Sequence, residues 1–253
     1  MMSPMECQGL KVKKGAVLVT GGAVRLGAAI AGALARAGWD VVVHANRSRA
    51  EAEALCGGLR GLGVRAWGVC GDLARAEGGA EVFAAACAAA GGRLDAVVNN
   101  AAVFSVRGAA EMPAGEQERM RQVNAGAPVA LTRCLWAHLQ TRGAKGCAVQ
   151  MLDQRIAAEG SEVTPYVGSK KMLAAFVREA AVGLAPVLRV NAVAPGAVLL
   201  PVAPEAREPA GGFPLGFRPT PAQVADAVRW LLEAEAVTGQ TVFVDGGQHL
   251  GNF

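Results

Sequence analysis

Tyr166 and Lys170 stand four residues apart in the stretch that begins at Thr164. On a helix, side chains four apart lie one above the other on the same face. A lysine ammonium would then stand beside a phenol whose ordinary pKa is about 10. A neighbouring cation favours the phenolate and lowers that pKa, which is what a tyrosine needs to act as a general acid near neutral pH. The alternative is a helix with one half-buried tyrosine and one solvated lysine. Tyr166 is the only tyrosine among 253 residues, so any phenol chemistry falls to it.

The elements that must position this pair are legible as short apolar runs alternating with alanine- and leucine-rich stretches. The runs at 15–20, 39–45, 64–70, 94–99, 147–152, 188–193 and 241–244 read as buried strands. Helices are expected at 26–37, 49–62, 74–90, 114–140 with an interruption near Pro128, 165–183 and 221–233. Such alternation implies right-handed crossovers and a parallel sheet covered on both faces. The expected fold class is therefore α/β, a single-domain Rossmann-type doubly wound parallel sheet of about seven strands. The domain is expected over 15–253, after a loose tail at 1–14. The Pro- and Gly-rich segment 200–221 reads as a substrate loop or lid, because irregular stretches that long in a compact domain are usually functional.

Thr20, Gly21, Gly22 and Gly27 join the first strand to the first helix. Glycine permits the tight turn, and the helix N-terminus offers unpaired N–H groups to a pyrophosphate. On strand, turn and helix at the start of a doubly wound sheet, this is a dinucleotide signature. After the second strand come His44, Asn46, Arg47 and Ser48, with no carboxylate among them. An acidic residue there would select the ribose hydroxyl of NAD, whereas donors and cations accommodate the 2′-phosphate, so the expected cofactor is NADPH. The competing reading is a polar turn in which Ser48 caps the next helix and Arg47 points to solvent.

The net charge of +4 is spread along the chain apart from Lys11, Lys13 and Lys14, so nucleic acid is not an expected partner. The first ten residues lack the apolar segment of a signal peptide, and no run of about 18 apolar residues is present to span a membrane. A cytoplasmic location is expected. Six dispersed cysteines without C-x-x-C spacing suggest reduced, buried thiols and no metal site.

With these residues in view, the chain resembles the short-chain dehydrogenase/reductase family from about residue 15 to residue 247. The matching features, in order, are Thr20, Gly21 and Gly27, then Asp72 and Leu73, then Asn99, Asn100 and Ala101, then Asn124, then Tyr166 and Lys170, then Pro195 and Gly196. The resemblance implies that Tyr166 is the proton donor and that Lys170 binds the nicotinamide ribose while lowering the tyrosine pKa. It implies that Asn124 supports a proton-relay water and that Asp72 and Leu73 border the adenine. Asn100 and Ala101 would line the cofactor cleft with Gly21, Leu26 and Gly27, and Pro195 and Gly196 would shape the nicotinamide pocket. A homotetramer is also implied, with the helices at 114–140 and 165–183 at the interfaces.

Two departures from the common family pattern narrow the reading. Arg25 replaces a glycine of the nucleotide loop, placing planar donors near both cofactor phosphates and substrate. Asp153 replaces the usual serine thirteen residues before the tyrosine, and an ionised carboxylate accepts hydrogen bonds without donating them. Both departures are similar to those of pteridine reductases and dihydromonapterin reductases. Phe104 stands where that subgroup stacks a pterin, and the tail 237–250 is also similar. Ala102 departs from it, standing where pteridine reductases carry serine.

The resulting expectation is NADPH-dependent reduction of a dihydropterin to its tetrahydro form, with dihydrobiopterin, dihydromonapterin and dihydrofolate as candidates. Tyr166, assisted by Lys170, Asp153 and Asn124, would deliver the proton. Arg25, Phe104, Asp153 and Tyr166 would contact the substrate. The alternatives are a carbonyl reductase acting on a 3-oxoacyl thioester or another ketone, and a non-catalytic protein that holds NADPH for regulation.

Overall fold

The computed structural model describes residues 14–157, 159, 164–199 and 212–251. Most of the expected tail and residues 200–211 of the expected substrate loop lie outside these. The seven strands are β1 (Ala16–Val19), β2 (Asp40–Ala45), β3 (Ala66–Cys70), β4 (Ala96–Asn99), β5 (Gly146–Met151), β6 (Leu188–Pro195) and β7 (Thr241–Val244). All pair in parallel, in the order β3-β2-β1-β4-β5-β6-β7. The order reverses direction between β1 and β4, so a crevice opens there at the carboxyl ends of the strands, where open α/β sheets bind ligands.

The helices are α1 (Arg25–Arg36), α2 (Arg49–Arg60), α3 (Gly78–Ala89), α4 (Ala114–Arg121), α5 (Ala127–Arg142), α6 (Pro165–Gly183) and α7 (Pro221–Glu233). Alternate residues of each strand feed two cores. Val17 and Val19 of β1 pack with Ile30 and Leu34 of α1, Cys56 of α2 and Val228 and Leu231 of α7. Ala16 and Leu18 face the other way, toward Phe83 of α3, Leu131 and Leu135 of α5, and Leu173 and Val177 of α6. Burial on both faces is why the central strands are continuously apolar rather than alternating.

The expected interruption near Pro128 takes a different form. The helix continues from α4 into α5 through a π-helical stretch, Gln122–Gly126, and Pro128 lies in the first turn of α5. Proline has no N–H to give to the carbonyl four residues back, that of Asn124, so the ladder widens upstream instead of breaking. Residues 74–77, expected in α3, precede it, because α3 begins at Gly78.

Arg218 donates to the Ala197 carbonyl and Lys14 pairs with Glu233. Cys56, Cys70, Cys87, Cys134 and Cys147 are free thiols; Cys7 lies outside the described residues. Among the described residues, no helix is long and apolar enough to cross a membrane, and no cluster of His, Cys, Asp and Glu could hold a metal ion.

Candidate active site

The turn after β1 is held from below and from the side. The Thr20 hydroxyl accepts from the Asn100 and Ala101 amides at 2.9 and 3.0 Å. The Asn100 side chain donates to the carbonyls of Thr20 and Gly21 at 2.9 and 3.1 Å. Gly21 has φ 59°, a left-handed conformation that suits glycine. Gly27 has no room for a side chain, since a Cβ there would lie 2.0 Å from the Gly21 carbonyl oxygen. No side chain caps the N-terminus of α1, and its first turn carries no acidic residue. Its first N–H groups therefore have no capping side chain, the arrangement that can receive an anion.

Arg25 adopts φ 53°, making it the one described non-glycine residue with a positive φ. The position still demands the backbone of the glycine it replaces, and strain of this kind concentrates at functional sites.

His44, expected among the cofactor residues, also supports the turn itself. Its Nδ1 accepts from the Gly21 amide at 3.2 Å and its Nε2 lies 3.1 Å from the Gly71 carbonyl. That pairing places the ring proton on Nε2. Burial lowers its pKa, against the Gly71 hydrogen bond and the Asp72 charge, so the ring is neutral. Although it edges the cleft, both nitrogens are committed to pinning the turn to β3.

The crevice forms a cavity of about 380 Å³ that brings together Gly21, Arg25, Leu26, Gly27, His44, Asn46, Asp72, Leu73, Asn100 and Ala101. An adjoining cavity of about 300 Å³ gathers Asn46, Arg47 and Ser48. Ser48 makes no capping hydrogen bond with its side chain, contrary to the competing reading of that turn. Asp72 Oδ1 accepts from the Ala74 amide at 3.0 Å and from Asn46 at 3.3 Å. Pro195 and Gly196 line neither cavity. Gly196 instead packs where a Cβ would meet Gln248 Oε1 at 2.5 Å and Asp245 Cα at 2.8 Å.

Thr164 caps α6 by accepting from the Val167 amide at 3.3 Å, and Pro165 starts its first turn. This sets the buried Tyr166 with its hydroxyl donating to Asp153 Oδ2 at 3.0 Å. Arg155, two residues beyond Asp153, grips the same carboxylate with a fork: Nε to Oδ1 at 3.1 Å and Nη2 to Oδ2 at 3.0 Å. Its guanidinium carbon lies 5.1 Å from the ring centroids of both Phe104 and Tyr166. Phe104 meets Tyr166 edge-on at 4.9 Å and is 53% exposed. Burial pushes the Asp153 carboxyl up, but the Arg155 fork and charge outweigh it and hold it below its ordinary value. Asp153 is thus an ionised acceptor.

Lys170 departs from the expected geometry. Its Nζ donates to the Met151 carbonyl at 2.7 Å and stands 6.0 Å from the Tyr166 ring centroid. Burial holds its pKa down to about 8, against the opposing pull of Asp153. The expected lowering of the tyrosine pKa is not found: burial first, and the Asp153 charge next, push Tyr166 well above its ordinary value, with Arg155 opposing. A helix face fixes which residues share a side, but the lysine extends toward a strand carbonyl instead of the phenol.

The Asn124 side chain is fully used. Its Oδ1 accepts from the Val103 amide, and its Nδ2 donates to the Val103 carbonyl and to Ser169 Oγ, at 2.9, 2.9 and 3.0 Å. It staples the segment leading to Phe104 onto α6. The sequence reading missed Arg155 altogether. The signal was its spacing, since a guanidinium two residues after Asp153 in a turn leaving a strand can fold back into a fork. Arg119 of α4, which lines both cavities, was also missed, because nothing in α4 itself points to the nucleotide end.

The short chain dehydrogenase family matches residues 15–210. An uncharacterized oxidoreductase of Mycobacterium tuberculosis is 34% identical over 241 residues, covering 91% of this chain and 90% of that protein. A putative ketoacyl reductase of the granaticin polyketide synthase of Streptomyces violaceoruber is 32% identical, covering 92% of this chain and 95% of that one. The crystal structure of FolM alternative dihydrofolate reductase 1 from Brucella suis in complex with NADP superposes with a TM-score of 0.86. It is 32% identical, and the match covers 94% of this chain and 96% of that one. With its parallel sheet, its nucleotide turn and its buried tyrosine and lysine, this chain belongs to the short-chain dehydrogenase/reductase family of oxidoreductases.

Proposed function

We propose that this protein is an NADPH-dependent reductase of a dihydropterin, acting on a C=N bond of the ring. The observation that carries the reading is that Tyr166 faces an ionised carboxylate, Asp153, rather than a hydroxyl donor. A ketone oxygen at this position would meet an acceptor where it needs a second donor, whereas a heterocycle edged with N–H groups would find a partner. The half-exposed Phe104 beside this pair offers a flat apolar face to such a ring. The complex of the Brucella FolM protein with NADP is consistent with this reading.

The residues present fit a phosphorylated dinucleotide. The uncapped α1 N-terminus and Arg25 would take the pyrophosphate, while Asn46, Arg47 and Ser48 would take the 2′-phosphate. NADPH, when bound, supplies the hydride that goes to the ring carbon. Tyr166 keeps its proton in the resting protein, because burial and Asp153 both disfavour the phenolate, and it delivers that proton to the ring nitrogen. Asp153 orients the hydroxyl. Being ionised, it has no proton of its own to give, so its role is narrower than a proton source. Pro128 cannot donate to the Asn124 carbonyl, which makes that carbonyl, rather than the occupied side chain, the group to hold a relay water. In solution we propose a homotetramer, with the α4–α5 stretch and α6 at its interfaces; a monomeric mass by light scattering would refute this.

The test is loss of NADPH absorbance with dihydrobiopterin, dihydromonapterin, dihydrofolate and an acetoacetyl thioester. Pterin turnover should fall by about 10²–10⁴-fold in Tyr166→Phe, the usual contribution of a general acid. Asp153→Ser should lose pterin turnover disproportionately. Turnover of the thioester alone would make the protein a carbonyl reductase, and binding without turnover would leave a cofactor-holding module.

A further inference from the structure

α4 carries Glu116, Glu118, Arg119 and Arg121. Three of these are engaged: Glu116 accepts from Arg107 at 3.0 Å, and Arg121 Nε donates to Glu118 at 2.9 Å. Arg119 has no ion pair among the described residues, although both acids lie on its own helix. It is instead, among the described residues, the only charged one that lines both the 380 Å³ cavity and the 300 Å³ cavity beside it.

The surroundings are cationic. Arg25 lines the larger cavity, Arg47 the smaller, and neither has an ion pair among the described residues. Among the described residues Asp72 is the single carboxylate in either lining, and its Oδ1 is already shared by the Ala74 amide and Asn46. Three like charges gathered around connected cavities repel one another unless an anion joins them. Arg119 is exposed and borders the cleft, while the carboxylates of its own helix are taken by Arg107 and Arg121.

We propose that Arg119 closes the nucleotide cleft from the α4 side and pairs with the 2′-phosphate of the dinucleotide, opposite Arg47 and Ser48. This rests on the dinucleotide reading and extends it to a wall of the cleft that the turns after β1 and β2 do not form. The pyrophosphate has its own partners at the α1 N-terminus. The smaller cavity, where Arg119 meets Asn46, Arg47 and Ser48, is the place where a separate phosphate would sit. Arg119 thus selects for the phosphorylated cofactor and contributes little to the parts that both cofactors share.

Equilibrium titration of the full chain with NADPH and with NADH, by calorimetry, tests this without turnover. Arg119→Met should weaken NADPH by about tenfold, the loss of one charge-assisted hydrogen-bonded pair in a partly solvated setting. NADH binding should stay within about twofold, and Arg119→Lys should retain part of the NADPH affinity, as a point charge without the fork. Arg119 is exposed, and an unchanged thermal midpoint will show that the variants fold. Equal weakening of both cofactors, or no change in either, overturns the assignment while the nucleotide reading stands. A wild-type protein that binds neither overturns both.

Discussion

Replacing Arg155 with methionine would leave the Asp153 carboxylate with the Tyr166 hydroxyl and the Arg155 backbone amide as its remaining partners. Removing one side of a fully buried ion pair costs about 3–5 kcal/mol, whereas an exposed pair contributes about 0–1 kcal/mol. Here the carboxylate is 16% exposed and the guanidinium 40%, so the pair falls between these limits. We expect a loss of about 2 kcal/mol at neutral pH, part of it from the guanidinium contacts with Phe104 and Tyr166. For a domain of this size that is a fall of roughly 4–8 °C in Tm. The pH dependence has a definite sign. The folded Asp153 carboxyl lies below its ordinary value, so its stabilisation is present above the unfolded value of about 3.9 and is lost as pH falls through the lower folded value. The gap between wild type and variant should therefore be complete at neutral pH and close only under acid conditions. Urea denaturation across that range measures it. A variant within about 0.5 kcal/mol of wild type at neutral pH, the range of ordinary surface substitutions, would refute the argument. Adding Asp153→Leu to Arg155→Met should recover part of the loss, because the uncompensated buried charge is then gone.

Gly27→Ala should cost about 1–3 kcal/mol and abolish NADPH binding seen by calorimetry, because its Cβ would meet the Gly21 carbonyl at 2.0 Å and Asn100 Nδ2 at 2.8 Å. Normal binding would mean that the turn has slack. Arg25→Gly should move stability and binding in opposite directions: the left-handed backbone is relieved, for a gain of about 1 kcal/mol, while NADPH affinity falls with the lost guanidinium. A destabilised glycine variant would show that φ 53° carries no strain there. The pH profile of kcat/KM should carry an alkaline limb near 8, where the buried Lys170 loses its proton. A rate that holds until the ordinary lysine range near about 10.4 would remove the Lys170 charge from the mechanism.

The sequence by itself determined the architecture of this protein. Apolar strands and amphipathic helices alternate with one period each, and a strand buried on both faces has few other compositions open to it. The nucleotide turn was legible for a similar reason, since Gly21 and Gly27 occupy backbone positions where a side chain meets strain or a clash. The site was legible as a set of residues, because the spacing of Tyr166 and Lys170 on α6 and the substitution of Asp153 are one-dimensional facts. What those residues do to one another was decided in three dimensions. Whether Lys170 reaches the phenol or the Met151 carbonyl depends on where β5 ends against α6. His44 became a strut because Gly21 and Gly71 approach it from two different loops. Arg119, more than seventy residues from the turn after β2, came to border the same cavities because the reversal of strand order sets α4 over the crevice. Arg155 turned a lone buried carboxylate into an ionised one, and that charge, after burial, raises the Tyr166 pKa against the opposing pull of Arg155. Charges and hydrogen bonds act through space at a few ångströms, and the chain specifies those distances only once it has folded.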